Sequence, residues 1–283
     1  MRGSSRLRKH RRTLLNLATH LVLIGTLIAV AFPVYYAIVM GTHTHRDAYA
    51  FPPILMPGDQ LWENMQVAWA RINLGRLAFN SLFISIAVSV GKIVLSIMAA
   101  FAFTHFKFRG SWLLFPLTMI TQMLPLPVRI LPAFYLMASF GWLNTYYALT
   151  IPYLASTTGI ILFRQFFLTV PDELSDAARV DGAKPLQYLW HILIPLSLTN
   201  IAALFVIEFV YIWNEYLWPL VVTTQADMRV AQIGLRMLYT SERAAAEWNI
   251  VMAGLFMIML PPLVVLILLR RQFAQGIAMQ STK

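Results

Sequence analysis

Four ionisable residues interrupt segments that are otherwise apolar: Lys92, Arg129, Glu208 and Glu215. A charged side chain at membrane depth is energetically expensive, so such residues normally face a cavity or one another. Glu208 and Glu215 are seven residues apart, and this spacing of two helical turns predicts that both acids lie on one face. The chemistry they offer is ion pairing and ligand binding, and Arg129 and Lys92 are the groups that would attract an anionic phosphate ester.

Two other interpretations of these segments stay open. The charges can instead form internal ion pairs that fix helix packing, for example Arg129 with Glu208 and Lys92 with another acid. A neutral sugar would prefer hydrogen bonds from Asn214 together with stacking on aromatic rings, here Trp142, Tyr146, Trp213 and Tyr216. Those rings also fit a role as anchors at the membrane interface.

The segment 169–197 carries helix signals. Asp172 and the acid that follows it suit the positive end of a helix dipole, and Gly182 suits a left-handed stop after Asp181. A second helix start follows at Pro185. The pattern predicts two short helices joined by a turn.

Apolar side chains line one side of each of these short helices. In the second helix they fall at helical spacing and end before Pro195, at Leu186, Leu189, Trp190 and Leu193. In the first, Ala177 and Ala178 are small enough to permit the close approach of another surface. Because two helices of about nine residues are not stable alone in water, we expect the membrane domain or a partner protein to hold their apolar sides.

The composition calls for an apolar environment. Hydrophobic residues make up 59% of the 283 residues and charged residues only 12%, so the chain has more apolar surface than a soluble core of this size can bury. Segments of about 20 apolar residues cross a hydrocarbon core of roughly 30 Å. Six segments qualify, near residues 14–40, 78–104, 112–139, 145–168, 198–220 and 248–271. The sequence therefore predicts an all-α polytopic membrane protein with six transmembrane helices, kinked where prolines fall within them.

The charges sort by side when these six helices are placed in a membrane. With the N-terminus inside, the cytoplasmic segments and their flanks carry fourteen Lys and Arg residues against four acids, whereas the outside loops carry six of each. The positive-inside rule therefore accounts for the net charge of +10, and a nucleic-acid partner is unnecessary. We expect residues 1–13 and 272–283 to be cytoplasmic, 14–271 to form the transmembrane domain of a cytoplasmic-membrane protein in contact with lipid, and 169–197 to face the cytoplasm.

Three sequence features exclude or disfavour particular functions: the length of the first apolar stretch, the absence of cysteine and the absence of a phosphate-binding loop. The apolar stretch 14–40 exceeds the roughly 7 to 15 residues of a signal-peptide core, which favours a first transmembrane helix over a cleaved signal. There is no cysteine, and hence neither a disulfide framework nor a thiolate metal site. The pair Gly91-Lys92 lacks the rest of a phosphate-binding loop, so we expect no ATP-binding loop of this kind on the chain.

Two rival functional classes find little support. An ion-coupled secondary transporter would use Glu208 and Glu215 as coupling acids, but the chain lacks an internal repeat. An intramembrane enzyme would need a catalytic pattern around His20, His191 or the acids, and no such motif is present. We therefore expect a membrane subunit that is not itself an enzyme.

The 169–197 segment resembles the EAA signature of permeases from bacterial ATP-binding-cassette importers. The signature is Glu-Ala-Ala, three residues, Gly, nine residues, Ile, one residue and Leu-Pro. It is matched here by Asp176-Ala177-Ala178, Gly182, Ile192 and Ile194-Pro195, with Asp for Glu and Ile for Leu. In that family the two helices are coupling helices that fit a cleft on the ATPase. The resemblance implies an ATPase contact at Asp176, Ala177, Ala178, Asp181, Gly182, Leu186 and Pro195.

Further motifs resemble the second permease of carbohydrate-type importers, the maltose-type group, and within it the glycerol-3-phosphate permeases. They are Phe163-Arg-Gln-Phe-Phe, Leu126-Pro-Val-Arg-Ile-Leu-Pro132 and Trp213-Asn-Glu-Tyr-Leu-Trp-Pro219. The resemblance implies the type I importer permease fold and half of a translocation path for sn-glycerol 3-phosphate or glycerophosphodiesters. The alternative cargo is a neutral di- or oligosaccharide of maltose or trehalose type. The path residues we expect are Lys92, Arg129, Glu208, Trp213, Asn214 and Glu215.

The same resemblance implies partners. These are a second six-span permease as heterodimer partner, two nucleotide-binding ATPase subunits that carry ATP and Mg²⁺, and an extracytoplasmic substrate-binding protein that would contact the outside loop 221–247. We expect no cofactor on this chain itself.

Overall fold

A computed structural model of the chain describes residues 3–123, 125–240 and 247–280, with side chains for 16–120, 125, 127–240 and 247–270. The described residues form helices and connecting turns and contain no strand, which confirms the all-α prediction. The helices are α1 Gly3–Gly41, α2 His45–Ala48, α3 Leu61–Ile72, α4 Leu74–His105, α5 Ser111–Met123, α6 Leu126–Ser139, α7 Tyr146–Thr150, α8 Thr157–Phe167, α9 Asp172–Val180, α10 Pro185–Tyr188, α11 Ile194–Leu196, α12 Leu198–Trp213, α13 Leu217–Val222, α14 Ala231–Thr240 and α15 Trp248–Gln280.

Three described helices are long and apolar enough to cross a membrane: Asn16–Gly41, Leu74–His105 and Trp248–Arg270. Two helix pairs qualify only together, because each is bent at a short break. Tyr146–Tyr153 with Thr157–Phe167 is bent by 43°, and Pro185–Leu196 with Leu198–Trp213 is bent by 75°. By length and composition the described residues thus provide three spans, or up to five if each bent pair is one span.

The continuous spans match three of the six expected segments, near 14–40, 78–104 and 248–271. The other expected segments are interrupted where prolines and polar residues end the helices. The segment 112–139 is divided into α5 and α6, neither of which is long enough to cross alone, and 198–220 is divided into α12 and α13.

Residues 73–236 and 258–283 form one compact unit. In it, α8 and α12 pack along the long helix α4. Gly159 makes the close approach possible, because a Cβ at this position would lie 2.3 Å from Ser96 Oγ and 2.9 Å from a methyl group of Leu204. Small residues at helix contacts are typical of membrane proteins, where close packing replaces the hydrophobic driving force.

Residues 1–72 and 237–257 form a second compact unit. A buried amide holds it together: Asn64 Nδ2 donates to the carbonyl oxygens of Gly41 at 2.9 Å and His43 at 2.8 Å, while Asn64 Oδ1 accepts from Asn249 at 2.9 Å. These bonds satisfy carbonyl groups where α1 ends, as a helix terminus requires.

Candidate coupling loop and charged cavity

The first half of the coupling loop, which we define as residues 169–197, folds as the sequence predicts. Helix α9 begins with its two acids and ends at Val180, Asp181 is its C-cap, and Gly182 follows with a left-handed φ of +77°. The backbone N–H of Ala183 donates to the carbonyl of Ala178 at 2.9 Å, which closes the end of the helix. A left-handed residue after the last helical turn is the usual site for glycine.

The second half continues further than predicted. Pro195 does not end the helical run, because it lies in the first turn of α11, where a missing backbone N–H has little consequence. Between α10 and α11, Leu189–Leu193 forms a π turn. The run instead ends at Ser197, where the chain bends by 75° into α12.

The expected single apolar stripe of the second helix is split between two sides. Leu189 and Leu193 are buried at 3% and 0% exposure, whereas Leu186 and Trp190 are 62% and 64% exposed. The π turn explains the difference, since its i→i+5 bonds take more residues per turn than an α-helix and rotate the following side chains.

The buried side of the coupling loop packs on the transmembrane helices. Ala178, Tyr188 and Leu193 belong to one buried cluster with Phe101 of α4 and Phe163 of α8. Of the two supports left open by the sequence, the membrane domain therefore holds this side. Two helices of this length gain their stability from such packing.

The other side of the coupling loop is exposed, and we call it the docking face: Asp176, Ala177, Val180, Leu186 and Trp190. Val180 is 88% exposed. The ion pair of Asp176 with Arg179 spans 3.5 Å and is itself 70% exposed, so it adds little stability. Asp181, Gly182 and Pro195 are also exposed, and Ala178 is the one expected contact residue that is buried.

The six expected path residues lie outside the coupling loop, and two of them meet in a buried ion pair. Lys92 Nζ of α4 lies 2.6 Å from Glu208 Oε2 of α12. The other carboxylate oxygen, Oε1, accepts a hydrogen bond from Ser156 Oγ at 2.8 Å, and Lys92 also lies 5.3 Å from the ring centre of Tyr211. The suggested pairing of Arg129 with Glu208 is therefore wrong, because Lys92 occupies the carboxylate.

Ser156 is one of the site residues that sequence reasoning missed. It caps α8 by accepting the backbone N–H of Gly159 at 3.1 Å while it donates to Glu208. One hydroxyl therefore ties the start of α8 to the ion pair between α4 and α12. The signal available in the sequence was a serine directly before an apolar helix, the usual N-cap pattern.

A cavity of about 400 Å³ lies beside the ion pair. Its walls combine charged, hydroxyl and aromatic groups from α4, α6, α12, α13, the start of α8 and the connection before it. The lining residues are Lys92, Arg129, Ile130, Ala133, Pro152, Tyr153, Ala155, Ser156, Thr157, Thr158, Ile207, Glu208, Tyr211 and Trp218. Tyr153, Tyr211 and Trp218 were not among the expected path residues.

Arg129 supplies the cavity with a charge that the ion pair does not cancel. It lies in the first turns of α6, its side chain is exposed, and no described acid approaches within ion-pair distance. Lys92 and Glu208 neutralise each other, so among the described lining residues Arg129 is the charge without an ion-pair partner, beside hydroxyl and aromatic groups. That combination suits an anionic polyol more than a cation.

The remaining three expected path residues do not line this cavity. The seven-residue spacing predicted that Glu208 and Glu215 share a helical face. That prediction is wrong, because α12 ends at Trp213, before Glu215. Glu215 Oε1 instead accepts the backbone N–H groups of Leu217 at 3.0 Å and Trp218 at 3.2 Å, which caps α13. Trp213 is 2% exposed and donates to the carbonyl of Ile258, so it is a packing residue.

Asn214 follows the end of α12 and is exposed. Its Nδ2 donates to the carbonyl of Val210 at 2.8 Å, and its Oδ1 accepts from Gln232 at 3.3 Å. These bonds stabilise the break between α12 and α13.

Two asparagines fasten the 221–247 segment, which the sequence predicts to be an outside loop and whose residues 241–246 lie outside the described part of the chain. Asn144 Oδ1 accepts the backbone N–H of Thr224 at 2.6 Å, and Asn80 Nδ2 donates to the carbonyl of Asp227 at 2.7 Å. The described part of the loop is therefore held by side chains from α4 and from the connection after α6.

Comparison with known proteins gives consistent similarities. The model of the family described as "Binding-protein-dependent transport system inner membrane component" matches residues 92–279. The sn-glycerol-3-phosphate transport system permease protein UgpE of Brucella melitensis is 44% identical over 94% of this chain and 97% of its own length. The protein of the same name from Pectobacterium atrosepticum is 40% identical, with coverage of 93% and 96%.

A solved structure shares the fold. One chain of a bacterial ABC transporter involved in the import of the acidic polysaccharide alginate superposes with a TM-score of 0.82, covering 92% of this chain and 96% of its own. Its sequence identity is 20%, so the likeness concerns the fold and confirms the expected importer permease architecture.

Proposed function

This chain belongs to the family of binding-protein-dependent transport system inner membrane components, and from that membership we propose that it forms half of the translocation path of an importer for sn-glycerol 3-phosphate. Glycerophosphodiesters, which carry the same phosphate group, are included in the proposed substrate class. The proposed substrate rests on the cavity, in which Arg129 is a cation without an ion-pair partner among the described residues. The names of the similar permeases from Brucella melitensis and Pectobacterium atrosepticum support the same substrate.

The proposed assembly contains a second permease, two ATPase subunits that bind ATP and Mg²⁺, and an extracytoplasmic binding protein. Both termini of this chain would be cytoplasmic, as the charge distribution favours. The docking face supports the ATPase contact, since Val180, Leu186 and Trp190 are apolar and mostly exposed on a loop that should face water. Exposed apolar groups that cluster in this way mark protein interaction sites.

In the proposed mechanism, closure of the two ATPase subunits moves the coupling loop, and the helices alternate between outward-open and inward-open states. A ligand can shift such an equilibrium only by its different affinity for the two states. The cavity beside Lys92 and Glu208 would be the part of the path in which this chain contacts the cargo.

The test is uptake of radiolabelled sn-glycerol 3-phosphate by the complete importer in proteoliposomes. Arg129→Gln should lower uptake by about 10- to 100-fold, because a hydrogen bond between charged groups contributes roughly 1.5–3 kcal/mol. Arg109→Gln is the matched control: it removes the same charge from an exposed turn outside the cavity and should leave uptake unchanged. Equal uptake by the wild type and the Arg129→Gln variant would contradict the proposed role of the cavity.

A neutral di- or oligosaccharide is the second candidate cargo. The observation that favours it is the aromatic part of the cavity wall, formed by Tyr153, Tyr211 and Trp218, on which a sugar ring can stack. Competition distinguishes the two: excess maltose or trehalose should not reduce uptake of sn-glycerol 3-phosphate. If these sugars compete and Arg129→Gln has no effect, the neutral cargo is the correct one.

A further inference from the structure

His105 is the last residue of α4, and its ring meets the buried side of the coupling loop. The ring centre lies 5.5 Å from that of Tyr188 in the coupling loop, 6.2 Å from that of Phe167 at the end of α8, and 4.6 Å from that of Phe101 in the previous turn of α4. Three separate elements therefore meet at one imidazole.

The orientation of this imidazole is fixed by a neighbour. His105 Nδ1 lies 2.7 Å from Thr104 Oγ1, and the same hydroxyl lies 2.9 Å from the carbonyl oxygen of Ala100. A ring held both by a hydrogen bond and by aromatic contacts has few rotamers available. His105 is thus a rigid side chain at the end of a long helix.

Behind His105, a continuous apolar cluster runs along α4 toward the ion pair. Phe101, Ile97 and Ile93 are buried in it together with Leu193 of the coupling loop and Leu204 of α12. Ile93 adjoins Lys92, and His105 is about 20 Å from Lys92 along the helix at roughly 1.5 Å per residue. Close-packed side chains transmit displacement, because packed interiors are barely compressible.

We propose that His105 is the positioning residue that joins the coupling loop to α4, so that a displacement of the loop reaches the Lys92–Glu208 ion pair as a movement of α4. The proposal rests on the function proposed above. It differs from the docking face, which meets the ATPase: His105 acts on the opposite, buried side, between the loop and the membrane helices. The contact with Tyr188 carries the displacement, and the contact with Phe167 makes α8 move with it.

The experiment measures ATP hydrolysed per sn-glycerol 3-phosphate transported, using the complete importer in proteoliposomes with its binding protein. His105→Ala should raise this ratio by at least about fivefold, the lower end of typical coupling between distant sites. His105→Phe keeps the ring contacts and should stay close to the wild-type ratio. Leu168→Ala is the control, since Leu168 adjoins Phe167 in sequence but is 59% exposed.

A second variant keeps the proposal testable if His105→Ala does not assemble. Tyr188→Leu preserves an apolar side chain in the loop and removes the ring that faces His105, so it should raise the same ratio. A wild-type ratio in His105→Ala, or in Tyr188→Leu where His105→Ala fails to assemble, would overturn the proposal. Proportional loss of hydrolysis and transport would also overturn it, because that result indicates a structural role alone. A wild-type importer without ATP-dependent uptake would instead contradict the proposed function.

Discussion

The coupling loop and the charged cavity each present chemistry unsuited to their surroundings. The loop exposes Val180, Leu186 and Trp190 where it should face water, whereas the cavity keeps Lys92 and Glu208 at membrane depth. The described residues leave these apolar groups of the loop uncovered, whereas Lys92 and Glu208 in the cavity are each other's partner. The difference teaches that the ion pair is complete within one chain, whereas the exposed apolar groups of the loop are what the proposed ATPase contact would cover.

The largest effect is expected when one partner of the Lys92–Glu208 ion pair in the cavity is removed. Glu208→Gln leaves Lys92 buried without its counter-ion, and removal of one partner from a buried pair costs about 3–5 kcal/mol. We expect a large drop in stability against denaturant in detergent micelles. The double variant Lys92→Met with Glu208→Leu should recover most of that stability, because apolar replacement of a whole pair is often neutral. Failure of the double variant to recover it would mean that the bond from Ser156 matters more than charge balance.

A smaller effect is expected where the loop turns. Gly182 has a φ of +77° and a Cβ there would meet no atom within 4 Å, so Gly182→Val acts through backbone strain alone, about 1–2 kcal/mol. We expect transport to become uncoupled from ATPase activity while the transmembrane helices keep their stability. Gly182→Asn, which tolerates the left-handed region, is the control and should stay coupled. Unchanged uptake in Gly182→Val would contradict the role of this turn.

The smallest effect on stability, with a clear effect on binding, is expected at the docking face. Trp190 is 64% exposed, so Trp190→Ser should change the free energy of unfolding by less than about 0.5 kcal/mol. The affinity of the Trp190→Ser variant for the ATPase should fall by roughly tenfold or more, because aromatic side chains at the centre of an interface often contribute much of the binding energy. Pull-down of the ATPase at graded concentrations measures this effect. Trp112→Ser, at a position that is 78% exposed away from the coupling loop, is the matched control.

Local sequence signals predicted the coupling loop well. An acidic helix start, the glycine stop at Gly182 and the spacing of the EAA signature all depend on neighbouring residues, and the structure has α9 and its left-handed end where expected. The π turn was not predicted by any pattern among neighbouring residues, and Tyr188 and Leu193, at its two ends, are buried against the transmembrane helices. The exposed position of Trp190 follows from that turn.

The cavity was predicted only in part. The apolar flanks of Lys92 and Glu208 predict that both lie at membrane depth. Their pairing was not predictable, because the two positions are 116 residues apart and no local pattern indicates such a contact. Glu215 was misplaced because helical spacing holds only while the helix continues, and α12 ends at Trp213. The role of Ser156 depends on the bend before α8, which brings a helix cap next to a carboxylate.

The cap at Glu215 also bears on how the chain matches the thickness of its bilayer. Helix α12 has 16 residues and is about 24 Å long at roughly 1.5 Å per residue, shorter than a hydrocarbon core of roughly 30 Å. The 75° bend at Ser197 leaves the preceding helical run unable to add to this length. Helix α13, with six residues, is about 9 Å long. Neither helix alone is long enough to cross the hydrocarbon core, so the capped break at Glu215 lies where a hydrophobic mismatch with the surrounding lipid has to be accommodated.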